Sequence, residues 1–367
     1  MRVLVTGHNG YIGSVMVDVL VRAGHDIVGL DTYLFEHCTL GAERAQVPAM
    51  RGDVRDLDVS SLSGFDAVIH LAALSNDPLG NLNPQITYDI NHLASVRLAR
   101  LAREAGVARF LFASSCSLYG VAANDGLLTE EAAFNPITPY GESKVMVERD
   151  VSQLATDRFS PVFLRNATAY GMSPRLRADV VVNSLVGYAF TTGEILIQSD
   201  GTPWRPLVHV QDISGAFLAA LEAPRDLVHN RAFNVGRSQE NYQIREIAEM
   251  VLAVVPGSRV TYAPGGAPDP RCYRVNCDEL ARTLPAFQPR WTVGDGVREL
   301  YEAYRREELT YDSFAGHGSR YLRIAQLQRL QSNGLLDDQL RWTTRPAAEE
   351  SFGEPMTAAA ARPWGAA

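Results

Sequence analysis

Cysteine is scarce in this chain. The four present among 367 residues, Cys38, Cys116, Cys272 and Cys277, are too few for a disulfide framework. None stands as C-x-x-C, and the eight histidines form no H-E-x-x-H pattern, so no metal site is expected. Long apolar runs are missing too: no stretch of 18 residues could span a membrane. The opening MRVLVTGHNG enters a strand at once, with no basic segment ahead of an apolar one, so no secretion signal is read. Positive charge is in deficit, 34 Lys and Arg against 42 Asp and Glu for a net charge of −8. Without a basic run there is no electrostatic footprint for general nucleic-acid binding, although a local cluster of donors can still hold a small anion. These absences predict a reduced, soluble, cytoplasmic protein.

What is present is a large apolar fraction, 46%, enough for a sizeable core. At roughly 100–200 residues per domain the length suggests about two domains. Short apolar runs of strand length fall at 2–6, 26–30, 66–73, 109–115 and 161–164, with helical patterns at 12–23, 89–105 and 140–154. A further strand is expected just before Gly52. Such alternation predicts an α/β fold with a doubly wound parallel sheet covered on both faces. Gly24 and Gly106 each follow a helical pattern, as helix C-caps do. Beyond Asn166 the pattern loosens. Helices are predicted at 180–192, 213–221, 243–254 and 293–306, and strands at 195–198, 207–210, 259–263 and 273–276. The expected division is 1–165 for a dinucleotide-binding domain and 166–306 for a smaller α/β substrate domain with some interleaving of the chain. Residues 307–367 form an extension. Within it Tyr321, Ile324, Leu327 and Leu330 suggest one docked helix, and the low-complexity end at 357–367 is expected to fray.

Strand 2–6 runs into Gly7-His8-Asn9-Gly10-Tyr11-Ile12-Gly13. Glycines at this spacing let backbone approach a pyrophosphate seated on the next helix N-terminus, and the strand-to-helix context supports that use over a plain turn. Asp31 ends the second strand, where a carboxylate accepts from an adenosine ribose and repels a 2′-phosphate, so NAD is expected over NADP. Asp53 and Val54 could meet the adenine, or form an ordinary polar loop.

A second constellation follows. Ser114-Ser115-Cys116-Ser117-Leu118-Tyr119-Gly120 closes a strand, and Tyr140-Gly-Glu-Ser-Lys144 opens a helix. Four residues apart, Tyr140 and Lys144 share a helix face. An ammonium beside a phenol lowers the phenol's pKa from about 10, and a phenolate can act as general base while the adjoining carbon gives up hydride. Ser115 can hydrogen-bond the same oxygen.

With both constellations present, the chain resembles the extended short-chain dehydrogenase/reductases, in particular the NAD-dependent nucleotide-sugar epimerase/dehydratase group, over residues 1–305. The matches are T-G-x-x-G-x-x-G at 6–13, H-L-A-A at 70–73, S-S-x-x-x-Y-G at 114–120, Y-x-x-x-K at 140–144, R-x-x-x-x-Y-G at 165–171, R-P-x-V-H-V-x-D at 205–212, N-V-G at 234–236 and D-P-R at 269–271. The resemblance implies a Rossmann-like domain holding NAD, a C-terminal domain holding a nucleoside-diphosphate sugar, and a homodimer paired through helices 89–105 and 140–154. It makes Ser115, Tyr140 and Lys144 the catalytic triad. It assigns cofactor contacts to Gly7, Asn9, Gly10, Tyr11, Ile12, Gly13, Asp31, Asp53, Val54, Leu71, Ala72, Ala73 and Asn91, besides Tyr140 and Lys144. To the substrate it assigns Ser75, Asn76, Cys116, Ser117, Asn166, Asn183, Arg205 and Arg271. Asn76 and Asp77 could also simply cap a turn, and each arginine could be a surface ion pair. His70 and His209 are read as core residues.

The resemblance implies a shared first step, in which Tyr140 takes a proton from the sugar C4 hydroxyl and NAD takes the C4 hydride. The 4,6-dehydratases carry Asp-Glu right after the catalytic Ser/Thr, where this chain has Cys116 and Ser117. Neither is a good acid at neutral pH, which argues against dehydration and decarboxylation. The small residues fit the UDP-galactose 4-epimerase pattern better, while Asp269-Pro-Arg looks closer to dehydratases. Cys116 is either an acid/base for 3- or 5-epimerisation or, more simply, a small buried thiol. An NAD-dependent epimerase working through a transient ketosugar therefore ranks first. Behind it stand a ketosugar reductase, an atypical 4,6-dehydratase and, last, a non-enzymatic NAD-binding scaffold.

Overall fold

The computed structural model describes residues 1–42, 46–121, 126–264, 269, 271–316 and 318–344. The segment 357–367, expected to fray, lies outside them. Seven parallel strands form the main sheet: β1 (Arg2–Thr6), β2 (Asp26–Asp31), β3 (Ala49–Arg51), β4 (Ala67–His70), β5 (Arg109–Ser115), β6 (Ser160–Asn166) and β7 (Arg231–Val235). Their order is β7-β6-β5-β4-β1-β2-β3. Strand alternation sorts the apolar side chains onto two faces. Val3, Val5, Ala67, Ile69, Leu111 and Leu164 face one core, under helices Gly13–Arg22 and Val210–Glu222. Leu4, Val68, Phe110, Phe112 and Phe163 face the other, under Ala94–Glu104 and Pro139–Ser152. Each such buried side chain is worth about 1.5–3 kcal/mol of transfer free energy. Gly24 and Gly106, at φ +84° and +83°, follow their helices in the left-handed region, as the sequence predicts.

The order turns back between β1 and β4, so the carboxyl ends of β1, β2, β4, β5 and β6 border one crevice. Strands Thr168–Tyr170, Trp204–His209 and Asn241–Gln243 build a smaller sheet, and Glu194–Ile197 pairs with Arg259–Tyr262. Helices Val181–Thr192, Ile244–Val254 and Val293–Arg306 cover a separate core around Val182, Leu185, Ile197, Ile247 and Val297. His209 is fully buried, stacked on Trp291 with ring centroids 3.8 Å apart.

The chain does not pass once from one region to the other. The helix predicted at 213–221 runs from Val210 to Glu222 and packs on the main sheet, and β7 then completes that sheet beside β6. Its sequence Arg-Ala-Phe-Asn-Val is broken by Asn234 after two apolar residues, so β7 does not stand out as an apolar run.

Among its described residues the extension holds two helices rather than one, Tyr311–Phe314 and Arg323–Ser332. Leu327 and Leu330, with Leu336 and Leu340, pack on Leu34, Leu74, Leu79 and Ile86. The Trp342 indole donates to the Thr32 carbonyl at 2.7 Å, and Arg341 meets Asp56 at 2.7 Å. Among the described residues no helix is long and apolar enough to cross a membrane, and no group of His, Cys, Asp and Glu gathers to hold a metal ion.

Candidate functional site

A cavity of about 670 Å³ fills the crevice and runs on between the main sheet and the smaller region. Its floor is the glycine loop. Gly7 has φ +76°, and a Cβ there would lie 2.8 Å from the Ala72 nitrogen. A Cβ on Gly13 would stand 2.1 Å from the Gly7 carbonyl oxygen, so the helix can start this close to the loop only without one. Asp31 accepts from the backbone N–H of Asn9 at 3.0 Å and of Tyr33 at 2.8 Å, which ties the end of β2 to the loop. Gly7, Asn9, Gly10, Tyr11, Ile12, Gly13, Asp31, Asp53, Val54, Leu71, Ala72 and Ala73 all line the cavity. The Tyr11 hydroxyl turns away to the Gly171 carbonyl at 2.6 Å. Asp53 already grips Arg55, with Nη2 at 2.6 Å.

Ser115, at the end of β5, is hydrogen-bonded to the Tyr140 phenol and also accepts from the Ser117 N–H at 3.1 Å. Thr138 caps the Tyr140 helix, accepting from the Gly141 N–H at 3.2 Å, with Pro139 in the first turn. One turn on, the Lys144 ammonium donates to the Ala113 carbonyl at 2.8 Å and lies 5.5 Å from the Tyr140 ring centre. Ser115, Tyr140 and Lys144 all line the cavity. Their electrostatics differ from what the sequence predicts. Burial pushes the phenol up to about 12, against the Ser115 hydrogen bond, and pulls the Lys144 ammonium down to about 7, partly opposed by Glu148. Desolvation disfavours the charged form of both groups and outweighs their proximity.

Ser75, Asn76, Ser117, Asn166, Arg205 and Arg271 line the far end of the cavity. Arg205 meets Asp269 at 2.7 Å, and Arg271 meets Asp269 at 2.5 Å and pairs with Asp77. Asp77 also accepts from the Thr138 hydroxyl at 2.5 Å. The Asn166 amide oxygen is buried with no hydrogen-bond partner, an acceptor left for a ligand hydroxyl or amide.

Three assignments need correction, because these residues do not line the cavity among the described residues. Cys116 is 1% exposed and bonds the Arg165 carbonyl at 3.2 Å, and burial holds its thiol far above the usual range. It is the small buried thiol, behind the wall. Asn91 accepts from the Leu74 N–H at 2.8 Å and donates to the Leu74 carbonyl at 3.0 Å, holding the loop after β4 from beneath. Asn183 is fully buried and bonds the Tyr11 hydroxyl at 3.1 Å and the Gly171 N–H at 3.0 Å. Both asparagines brace the wall.

Sequence reading missed a buried ion pair at the far end of the cavity. Arg177 meets Asp179 at 2.9 and 3.0 Å and also bonds the Ser75 hydroxyl at 3.0 Å. Asp179 accepts from Asn76 at 3.0 Å, and Arg177 holds its carboxyl below the usual range against the pull of burial. Two arginines and an aspartate in the short run R-L-R-A-D at 175–179, straight after Y-G-M-S-P, were the available signal.

The profile of the NAD dependent epimerase/dehydratase family matches residues 3–236. The chain belongs to this family. It is therefore an enzyme of the epimerase/dehydratase type with NAD as cofactor. The UDP-glucose 4-epimerase of Lactobacillus helveticus is 29% identical over 334 residues, 85% of this chain and 99% of that protein. The UDP-glucose 4-epimerase of Corynebacterium glutamicum is 29% identical over 307 residues, 77% of this chain and 90% of that protein. Among solved structures, MoeE5 in complex with UDP-glucuronic acid and NAD is 29% identical with a TM-score of 0.73, over 83% of this chain and 99% of that one. The glycine loop and the partnerless Asn166 oxygen suit a dinucleotide and a second ligand in one cavity.

Proposed function

We propose that this family member is an epimerase of a nucleoside-diphosphate hexose, working at C4 through a transient ketosugar. The observation that carries it is the Ser115–Tyr140–Lys144 group facing a cavity end where, among the described residues, Asp77, Asp179 and Asp269 are each paired with an arginine. Cys116 is turned away, Ser117 is no acid, and Asp179 and Asp269 are held ionised by their arginines. Elimination of a hydroxyl needs a proton donor at that end. Epimerisation needs none beyond the tyrosine.

Tyr140 Oη, once ionised, takes the proton of the C4 hydroxyl, and Ser115 holds that oxygen in line. NAD, when bound, supplies the acceptor for the C4 hydride, and its oxidised ring carries a positive charge that favours the phenolate. Lys144, near 7, adds charge to the same oxygen whenever it is protonated. Tyr140 would give the proton back to the C4 oxygen as the ketosugar is reduced on its other face, so the cycle would consume no reducing equivalent. The names of the relatives make a uridine diphosphate the first carrier to test, with Arg205 and Arg271 set to exchange carboxylate for diphosphate.

Purified enzyme incubated with UDP-glucose, UDP-galactose or UDP-glucuronic acid, without added reductant, is expected to give the C4 epimer by proton NMR. Accumulation of a 4-keto-6-deoxy product, or stoichiometric loss of added NADH absorbance, would replace this reading with the dehydratase or the reductase. The working form is proposed to be a cytosolic homodimer joined through the helices at 88–104 and 139–152, where Leu93 is 55% exposed. Light scattering at twice the mass of one chain is the check.

A further inference from the structure

The helix Arg323–Ser332 lies beyond the family match, yet it reaches the cavity. Positions 323, 327 and 330 share one face, and Leu327 and Leu330 pack that face onto Leu34, Leu74 and Leu79. The same docking drives Arg323 inward, to 2% exposure in the cavity wall. Its guanidinium lies over the Phe35 ring at 4.3 Å, and Nη2 donates to the Arg175 carbonyl at 3.0 Å. Nη1 is buried with no hydrogen-bond partner.

A buried guanidinium is costly unless its charge and donors are met. The carboxylate acting on Arg323 is Asp179, and both its oxygens are taken up by Arg177 and Asn76. Cys38, which lies beside Arg323, is a neutral thiol because burial pushes it up. Positive charge is thus left over beside Leu34 and Phe35, just past β2, between the glycine-loop side of the cavity and the Arg177–Asp179 pair. Arg175, whose carbonyl anchors Arg323, reaches Asn9 of the glycine loop at 2.7 Å. An anion is the ligand that meets both the charge and the open donor, and the anionic part of a dinucleotide is its diphosphate.

We propose that Arg323, carried in by the C-terminal extension, is a binding residue for the diphosphate of NAD, so that the extension straps the cofactor into the site. The proposal rests on the NAD dependence of the family. Arg205 and Arg271 stand at the opposite end, so the second diphosphate of the cavity, that of the sugar nucleotide, is the competing source of the same chemistry.

The test measures binding by calorimetry on the full chain stripped of endogenous nucleotide with charcoal. The ligands are NAD, ADP-ribose, adenosine and UDP, and the proteins are wild type, Arg323→Met and Arg323→Lys. Arg323→Met, which keeps the apolar stem on Phe35, is expected to weaken NAD and ADP-ribose about 10- to 100-fold, the worth of a charged hydrogen bond. Adenosine and UDP should be unchanged, and Arg323→Lys should fall in between with a steeper loss in salt. Equal weakening of adenosine, or no weakening of NAD, makes Arg323 purely structural and overturns the proposal. Selective weakening of UDP assigns the guanidinium to the sugar nucleotide and overturns it as well. A wild type that binds neither NAD nor ADP-ribose would instead sink the cofactor reading itself. If Arg323→Met does not fold by near-UV circular dichroism, the lysine variant decides alone: wild-type NAD affinity and salt dependence then count against the proposal.

Discussion

The two ends of the cavity are built from different materials. At the dinucleotide end the ligand-facing surface is mostly backbone and small side chains at strand ends: Gly7, Gly10, Gly13, Ala72 and Ala73. At the sugar end it is charged side chains already paired with one another: Arg177 with Asp179, Arg205 with Asp269, and Arg271 with Asp77 and Asp269. The first surface is fixed by sterics and accepts one kind of ligand. The second can be re-paired, since each arginine can trade a carboxylate for a phosphate at modest net cost. The glycine-loop end thus offers a fixed surface, and the arginine end one whose ion pairs can be re-formed around an anion.

Tyr140 stands where the two ends meet, and its replacement has the largest expected effect. Tyr140→Phe should lower kcat about 10²- to 10⁴-fold, the usual worth of a general base, with NAD binding unchanged. Loss of NAD binding in parallel would mean the two ends are not separable.

Lys144 gives the next effect, on stability. In the folded chain its ammonium is held near 7, against about 10.4 when unfolded. Between those values the unfolded chain binds a proton that the folded chain lacks, so stability rises with pH from about 7 to 10, is lost again as pH falls from about 10 to 7, and is independent of this group below about 7. Denaturant midpoints of wild type and Lys144→Met across this window isolate the term, because the other groups cancel in the difference. The wild type should gain on the variant by on the order of a few kcal/mol. A flat difference would mean that Lys144 keeps its charge in the folded protein.

Asp31→Asn keeps an acceptor for the loop N–H groups but removes the charge. Calorimetry should show NADP gaining on NAD by roughly 10-fold. An unchanged ratio would show that selectivity does not lie at the end of β2. The smallest effect is expected for Cys116→Ala: kcat within about two-fold of wild type, and about 1 kcal/mol lost in unfolding free energy for the small void. A large loss of kcat with wild-type stability would bring the thiol back into the chemistry.

The same contrast governs what could be read from the sequence. The dinucleotide end is local: loop, helix start and Asp31 lie within 25 residues of one another, and glycine spacing reports backbone geometry directly. Tyr140 and Lys144 are one helical turn apart and equally visible. The far end of the cavity draws on positions 75–77, 177, 179, 205, 269 and 271, and no spacing rule connects them. Asn91 and Asn183 matched motif positions, but a motif does not say whether an amide faces the ligand or props the wall behind it. The extension's helix was legible from the spacing of Ile324, Leu327 and Leu330. Its partner surface, made by Leu34, Leu74 and Leu79, was not, because only the folded chain brings those residues together.

The segment Tyr88–Leu93 that carries Asn91 makes a π-type turn at the head of the helix continuing through Ala94–Glu104. Such a turn holds one residue more than a regular helix does. Deleting a single residue there would let the helix close into regular turns while the segments on either side keep their facing, because the wide turn is what absorbs the extra residue. Leu98, Ala99 and Ala102 would stay in the core, while Asn91, inside the turn, would lose its place under the Leu74 backbone. The extra residue thus serves the loop after β4 rather than the helix that carries it.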